Sequence, residues 1–230
     1  MTRNTWWGKT LRFIGILLMG ITSLFTIAGG AGTTCVALNP TNPGYEGKFD
    51  AIASVQWLYI LFVVVTVAIG VMAARAVFLL AKGKPNSYGY SIIALILGIV
   101  VGGIHMFTSR TLRGSSMPVD GVVYTTVLTL IVFLLFRLPP IWKGVDFNGV
   151  GKGDKSGPMA AAITLFVTGF LTLTVQIWAG PTHTWGNTNW AGTFEITRIL
   201  MGLSQLLGGA VLLILEEKIH IPVRKPEVHA

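Results

Sequence analysis

Six apolar runs of transmembrane length constrain this sequence more than any other feature. A bilayer core about 30 Å thick needs roughly 20 apolar residues per helix, and each run reaches that length without a charge at its centre. Segments rich in Gly, Pro and Asn separate the runs, as is typical of surface loops. The sequence therefore predicts an all-α fold, a polytopic bundle of six transmembrane helices in a single integral membrane domain over 1–230. The predicted spans are approximately 11–32, 55–80, 88–109, 121–142, 158–179 and 193–215.

The distribution of charge predicts how the chain lies in the membrane. With 52% hydrophobic and 11% charged residues, the composition is far from the roughly 25% charged residues of soluble proteins. A net charge of +8 would suggest nucleic acid as the partner of a soluble protein. Here, however, only Lys48, Arg110, Arg113 and Arg198 of the 17 basic residues fall on one side of the predicted bundle. The positive-inside rule then predicts a multi-pass protein of the cell (plasma or inner) membrane, with both termini cytoplasmic, the lipid bilayer as partner and no nucleic acid bound.

The first apolar run has a second interpretation. Basic residues, an apolar stretch and the small residues "AGGAG" also fit a cleavable signal peptide, whose removal would leave five spans. The run is longer than the 7–15 apolar residues usual in such peptides, which favours a retained helix. The single cysteine, Cys35, excludes an intramolecular disulfide and a thiolate metal cage.

Three of the runs carry small and polar residues at helical spacing, the usual mark of a buried face in a membrane bundle. If these faces meet, their non-cytoplasmic ends form a polar vestibule. The alternative interpretation is structural, with the small residues serving helix contact and the hydroxyls bonding to their own backbone. The candidate vestibule residues are His105, Arg110, Arg113, Gln176, Glu195 and Arg198.

His105 is the only histidine within a predicted span. A haem b with two histidine ligands needs a second one, and His183 could supply it only if its loop folded back over the bundle. The same two histidines are the weak alternative for a metal site. An interior, hydrogen-bonded histidine is favoured, and neither a metal nor a cofactor is predicted.

Three tryptophans, Trp178, Trp185 and Trp190, lie in and beside the loop that joins the last two spans. Interfacial tryptophans ordinarily anchor a membrane protein. A loop with this composition also suits contact with a partner subunit or with a quinone head, because indole offers broad apolar area and one polar group.

No phosphate-binding loop, zinc-protease motif or nucleophile elbow is present in the sequence. No catalytic residue is therefore predicted, and an activity of its own is not expected. The leading functional prediction is a non-catalytic integral membrane subunit of a larger membrane complex, such as an electron-transfer or other energy-converting assembly. Two alternatives stay open: a small-solute or anion permease that uses the polar vestibule, and a redox subunit that binds quinone or haem.

Overall fold

The structure is a computed structural model that describes residues 5–149, 154–178, 180, 184–185 and 188–218. It is all-α, and six of its helices are long and apolar enough to cross a membrane, which confirms the predicted number of such helices. Between the last two long helices, two short strands, β1 (Thr184–Trp185) and β2 (Thr188–Asn189), pair antiparallel. Short 3-10 helices cover Pro43–Tyr45 and Asp50–Val55. The α-helices are α1 (Trp6–Leu38), α2 (Gln56–Ala81), α3 (Ser87–Arg113), α4 (Val119–Phe136), α5 (Pro139–Val145), α6 (Ser156–Trp178), α7 (Trp190–Thr193) and α8 (Glu195–Lys218).

The fourth span ends earlier than the hydropathy of the sequence predicts. The predicted run extends to residue 142, whereas α4 ends at Phe136 and a separate helix, α5, starts at Pro139. Leu138 has an extended backbone, with φ −58° and ψ 132°. A residue before proline is disfavoured in the helical conformation, and proline suits the first turn of a new helix. The chain therefore turns at Leu138, directly after the exposed Arg137, although the residues from Leu138 to Trp142 are again apolar.

Helix α1 is the central helix of the bundle. It packs against α2, α4 and α6, while α3 packs against α2 and α4. Small residues allow the closest approaches: a Cβ on Gly20 would lie 2.5 Å from the side chain of Thr164, and one on Gly70 would lie 2.5 Å from that of Ile27. Helices α1–α4 thus form a four-helix unit, to which α6 is attached along α1.

One end of the bundle, here called the basic end, holds the start of α1, the end of α2 and the chain that leads into α6. The amide of Gly149 donates to the carbonyl of Gly83, which joins the loop after α5 to the loop after α2. A stack of aromatic rings fills the interior, with Phe133 and Phe147 nearly parallel at 5.9 Å between centroids. Exposed lysines and arginines surround this end: Lys82, Lys84, Arg137, Lys143 and Lys155.

Helix α8 packs along α6 through a close contact of backbones. A Cβ on Gly202 would lie 2.5 Å from the side chain of Leu173, and one on Gly209 would lie 3.0 Å from the carbonyl oxygen of Ala162. Near the middle of both helices the hydroxyl of Thr172 donates to Oε1 of Gln205 over 3.1 Å. The small residues of α8 therefore serve helix contact, as the structural interpretation of their spacing expected.

Candidate functional site

The six candidate vestibule residues fall into two groups. His105, Arg110 and Arg113 lie on α3, which packs against α2 and α4. Gln176 lies on α6, and Glu195 and Arg198 lie on α8, which packs along α6. Within the described residues, no hydrogen bond or ion pair joins the two groups. The structure thus places the polar residues against two different sets of helices.

His105 occupies an aromatic pocket between α2 and α3. Its side chain is buried, stacks on Phe62 at 4.5 Å between ring centroids, and meets the ring of Tyr59 edge-on at 5.2 Å. The Tyr59 hydroxyl hydrogen-bonds with the Ser109 hydroxyl over 2.8 Å, one turn further along α3. These contacts fix the plane of the imidazole by packing on both neighbouring rings.

A small cavity of about 20 Å³ adjoins His105. That volume is enough for one water molecule. Thr26, Thr33 and Thr66 are among the lining residues, but the hydroxyls of Thr26 and Thr33 donate to carbonyls of their own helix. Neither ring nitrogen of His105 has a hydrogen-bond partner in the described chain, so the interior position expected from the sequence is observed but the expected hydrogen bond is not.

His183, the second ligand that a haem or metal site at His105 would need, lies outside the described residues. In the part of the chain that is described, no group of three His, Cys, Asp or Glu residues could hold a metal ion. The backbone of the three tryptophans ends α6, belongs to β1 and begins α7, respectively. The side chains of Trp178, Trp185 and Trp190 lie outside the described residues, and so does their predicted contact with a partner or a quinone.

Arg110 ties the end of α3 to the start of α4. Its Nη2 lies 3.0 Å from the Asp120 carboxylate and 3.2 Å from the Tyr124 hydroxyl, while its Nε donates to Ser116 over 2.9 Å. Ser116 in turn donates to Asp120. Asp120 lies in the first turn of α4, where a negative charge is favourable, and its carboxylate also accepts a hydrogen bond from the Arg110 guanidinium. Most of the donors of Arg110 are engaged with protein groups.

Arg113 lies one turn beyond Arg110 and contacts a different segment. Its guanidinium lies over the ring of Phe49, 4.7 Å from the centroid, in a cation–π contact. Its Nε is buried and has no hydrogen-bond partner within the described chain. Arg113 therefore holds Phe49, the residue directly before the 3-10 helix Asp50–Val55, against the end of α3.

Arg198 fastens α8 to α6. Its guanidinium is buried and donates to the carbonyl oxygen of Leu173. Glu195 is 3.9 Å from Arg198 with its own side chain 65% exposed, and Gln176 is also exposed. Because the two groups are 3.9 Å apart and the Glu195 carboxylate is in solvent, their pairing contributes little to stability. The main role of Arg198 here is the bond to α6.

A buried ion pair at the basic end was missed from the sequence. Nη2 of Arg12 lies 2.5 Å from Oδ2 of Asp154, with 4% and 5% of the two side chains exposed. Nη1 of Arg12 donates to the carbonyl of Gly144 over 3.0 Å, and Asp154 accepts from the amide and hydroxyl of Ser156. The available signal was the position of Arg12 inside an apolar run, where an ionised group needs a partner.

A larger cavity was also missed, because it depends on the order of helices in the bundle. It has a volume of about 470 Å³ and lies between α1, α2, α6 and α8, open to the side of the bundle. We call it the lateral groove. Its lining includes Gly20, Ser23, Ala74, Lys82, Thr168 and Gln205.

Most described polar side chains within the bundle connect one helix to another or bond to their own backbone. Thr22 and Thr129 share a hydrogen bond of 2.7 Å between α1 and α4, and Ser23 donates to the carbonyl of Gly70 on α2. Comparisons with protein-family models, with curated proteins and with solved structures find no match for this chain. The functional proposal therefore rests on the contacts and cavities described above.

Proposed function

We propose that this chain is a non-catalytic integral membrane subunit of a larger membrane complex, such as an electron-transfer or other energy-converting assembly. The observation that carries the proposal is the position of α8 at the edge of the bundle, where it packs mainly along α6. Its remaining circumference exposes large apolar side chains, among them Ile196, Leu200 and Leu207. Such a face is available to another membrane helix, which can pack on it as helices do in other membrane bundles.

The use of polar groups supports the same proposal. Arg110, Arg198 and the pair Arg12–Asp154 all connect segments of this chain to one another. Interhelical polar contacts of this kind contribute modestly to assembly in membranes. They give a rigid scaffold with fixed surfaces, which is what a structural subunit needs.

Orientation is part of the proposal. The basic end carries Lys82, Lys84, Arg137 and Lys143, and the positive-inside rule places it in the cytoplasm. Both termini then lie on that side of the cell membrane.

The permease alternative has less support from the geometry. Its six vestibule residues lie against two sets of helices, and the cavity beside His105 has room for a single water. The redox alternative depends on His183 and on the tryptophan side chains, which are outside the described residues. No observed contact favours either alternative over a subunit.

Photo-crosslinking tests whether another polypeptide contacts the exposed face of α8. A photoreactive amino acid replaces Leu207 on α8 and, as the matched control, Leu128 on α4, whose side chains are 66% and 54% exposed. Irradiation of native membranes is expected to yield a specific crosslinked polypeptide from position 207 and only lipid adducts from position 128. Lipid adducts alone from both positions would contradict the proposal.

Native mass spectrometry of the gently extracted protein provides the second readout. Additional polypeptides bound to the 24.7 kDa chain are expected in the wild type. Substitution of Leu200 and Leu207 by Ala is expected to reduce the bound fraction, since both side chains lie on the exposed face of α8. A chain released without any partner polypeptide would argue against a subunit.

A further inference from the structure

The walls of the lateral groove present mainly apolar surface, although several polar residues line it. Ser23 donates to the carbonyl of Gly70, Thr164 to that of Ala160, and Thr168 to that of Leu165. Each hydroxyl is thereby turned towards backbone, and the surface left for an occupant is mainly carbon. A polar solute would find few free partners on these walls, whereas a hydrocarbon chain would fit them.

The length of the groove corresponds to one leaflet of a bilayer. Its lining on α6 runs from Pro158, near the basic end, to Thr168. At 1.5 Å per residue, ten residues of helix span about 15 Å. That is half of a hydrocarbon core about 30 Å thick. Gln205, hydrogen-bonded to Thr172, lies at the inner limit of the groove.

Lys82 provides charge at the mouth of the groove. It follows the last residue of α2, lines the groove and is exposed. Its ammonium has no ion-pair partner among the residues that the structure describes. A cation at the end of an apolar groove one leaflet deep matches the charge and the shape of an anionic lipid.

We propose that the lateral groove is a binding site for one anionic phospholipid, with an acyl chain between α1, α2, α6 and α8 and its phosphate on the Lys82 ammonium. The volume of about 470 Å³ is within the 300–1,000 Å³ range of small-molecule sites. A groove open to hydrocarbon is filled by hydrocarbon in any membrane, and Lys82 makes the occupant specific by charge. This site is independent of whether the chain has partner subunits.

Two pairs of variants separate the contribution of the Lys82 charge to lipid binding from the contribution of the apolar walls. Lys82→Gln removes the cation at the mouth, and Lys84→Gln is its control in the same loop, since Lys84 is exposed but does not line the groove. Ala74→Phe fills the groove from α2, and Ala68→Phe is its control, an exposed alanine on the same helix outside the groove.

Native mass spectrometry on the full chain in detergent measures binding of phosphatidylglycerol and phosphatidylcholine with identical acyl chains. The wild type is expected to bind phosphatidylglycerol more tightly. Lys82→Gln is expected to weaken that binding about fivefold, the effect of one surface cation, with no change for phosphatidylcholine. Ala74→Phe is expected to abolish the specific adduct of both lipids, while the two control variants bind as the wild type does.

Three results would overturn the proposal. The first is equal affinity of the wild type for both lipids, and the second is equal loss with Lys82→Gln and Lys84→Gln. The third is retention of an isoprenoid quinone, rather than a phospholipid, as the specific adduct of the extracted chain. Because Lys82 is exposed, its substitution leaves the packing intact, so the lysine pair decides the question even if Ala74→Phe does not fold.

Discussion

Arg12 and Asp154 form a buried ion pair that joins the first turns of α1 to the chain entering α6. The two residues are far apart in sequence, and the same guanidinium also holds the carbonyl of Gly144 at the end of α5. One side chain thus connects three segments at the basic end. The packing of α6 against α1 depends on this connection as well as on the contact between Gly20 and Thr164.

Loss of one partner of this pair is expected to destabilise the fold strongly. Asp154→Asn leaves the Arg12 charge buried without its counter-ion, and removal of one partner from a buried pair costs about 3–5 kcal/mol. Arg12→Met is expected to have an effect of similar size. Replacement of both residues by apolar ones is expected to recover much of the loss. The free energy of unfolding in detergent, followed by circular dichroism, measures each variant.

The exposed pair Lys48–Glu46 is the matched control, with 69% and 77% of its side chains exposed. Glu46→Gln is expected to change the free energy of unfolding by less than about 1 kcal/mol. An effect of Asp154→Asn no larger than that of Glu46→Gln would show that the buried pair does not hold the basic end together.

The close contact between α6 and α8 predicts that Gly202→Ala separates these helices. The new methyl group would meet Leu173 at 2.5 Å, and overpacking of this kind typically costs about 1–3 kcal/mol. Gly208→Ala is the control on the same helix, because its Cβ would meet Leu165 at an ordinary 3.6 Å. Thermal unfolding should rank Gly202→Ala well below Gly208→Ala; the reverse order would refute the contact.

The hydrogen bond between Thr172 and Gln205 is expected to stabilise the α6–α8 pair modestly. Interhelical hydrogen bonds in membranes average about 0.6 kcal/mol. A double-mutant cycle with Thr172→Val and Gln205→Leu is expected to give a coupling energy of that order. A coupling energy indistinguishable from zero would mean that Gln205 is held by packing alone.

The aromatic pocket of His105 predicts losses of stability of different size for two substitutions. His105→Phe preserves stacking on Phe62 and roughly preserves volume, so a loss below about 1.5 kcal/mol is expected. His105→Ala leaves a cavity between α2 and α3 and is expected to cost several-fold more. Unfolding midpoints of the two variants decide this. Similar losses from both would indicate that His105 contributes more than its ring packing.

The membrane character of the fold was predictable because it depends on composition along single helices. Six spans follow from hydropathy alone, and the contact role of Gly202 and Gly209 follows from small residues at helical spacing. The predicted span ran past the end of α4 because one charged residue, Arg137, interrupts a run that is otherwise apolar up to Trp142. Arg137, directly after Phe136, and the conformational effect of Pro139 together mark that boundary.

The candidate site was less predictable because it depends on which helices are neighbours. Spacing placed His105 and Arg198 on buried faces, and both are buried. Spacing could not assign α3 and α8 to different neighbours, nor bring Asp154 to Arg12. Tyr59 and Phe62 surround His105 from α2, a helix whose apolar surface shows no polar stripe to single out one face.

The order of helices along the chain has a consequence for biosynthesis. Helices α1–α4 precede α6, and α8, the last long helix among the described residues, packs mainly on α6. During translation, the four-helix unit can therefore assemble in the bilayer before the ribosome completes α8. The exposed face of α8, which the proposed function assigns to a partner subunit, is then completed after the four-helix unit, and the proposal therefore predicts that pairing follows the assembly of α1–α4.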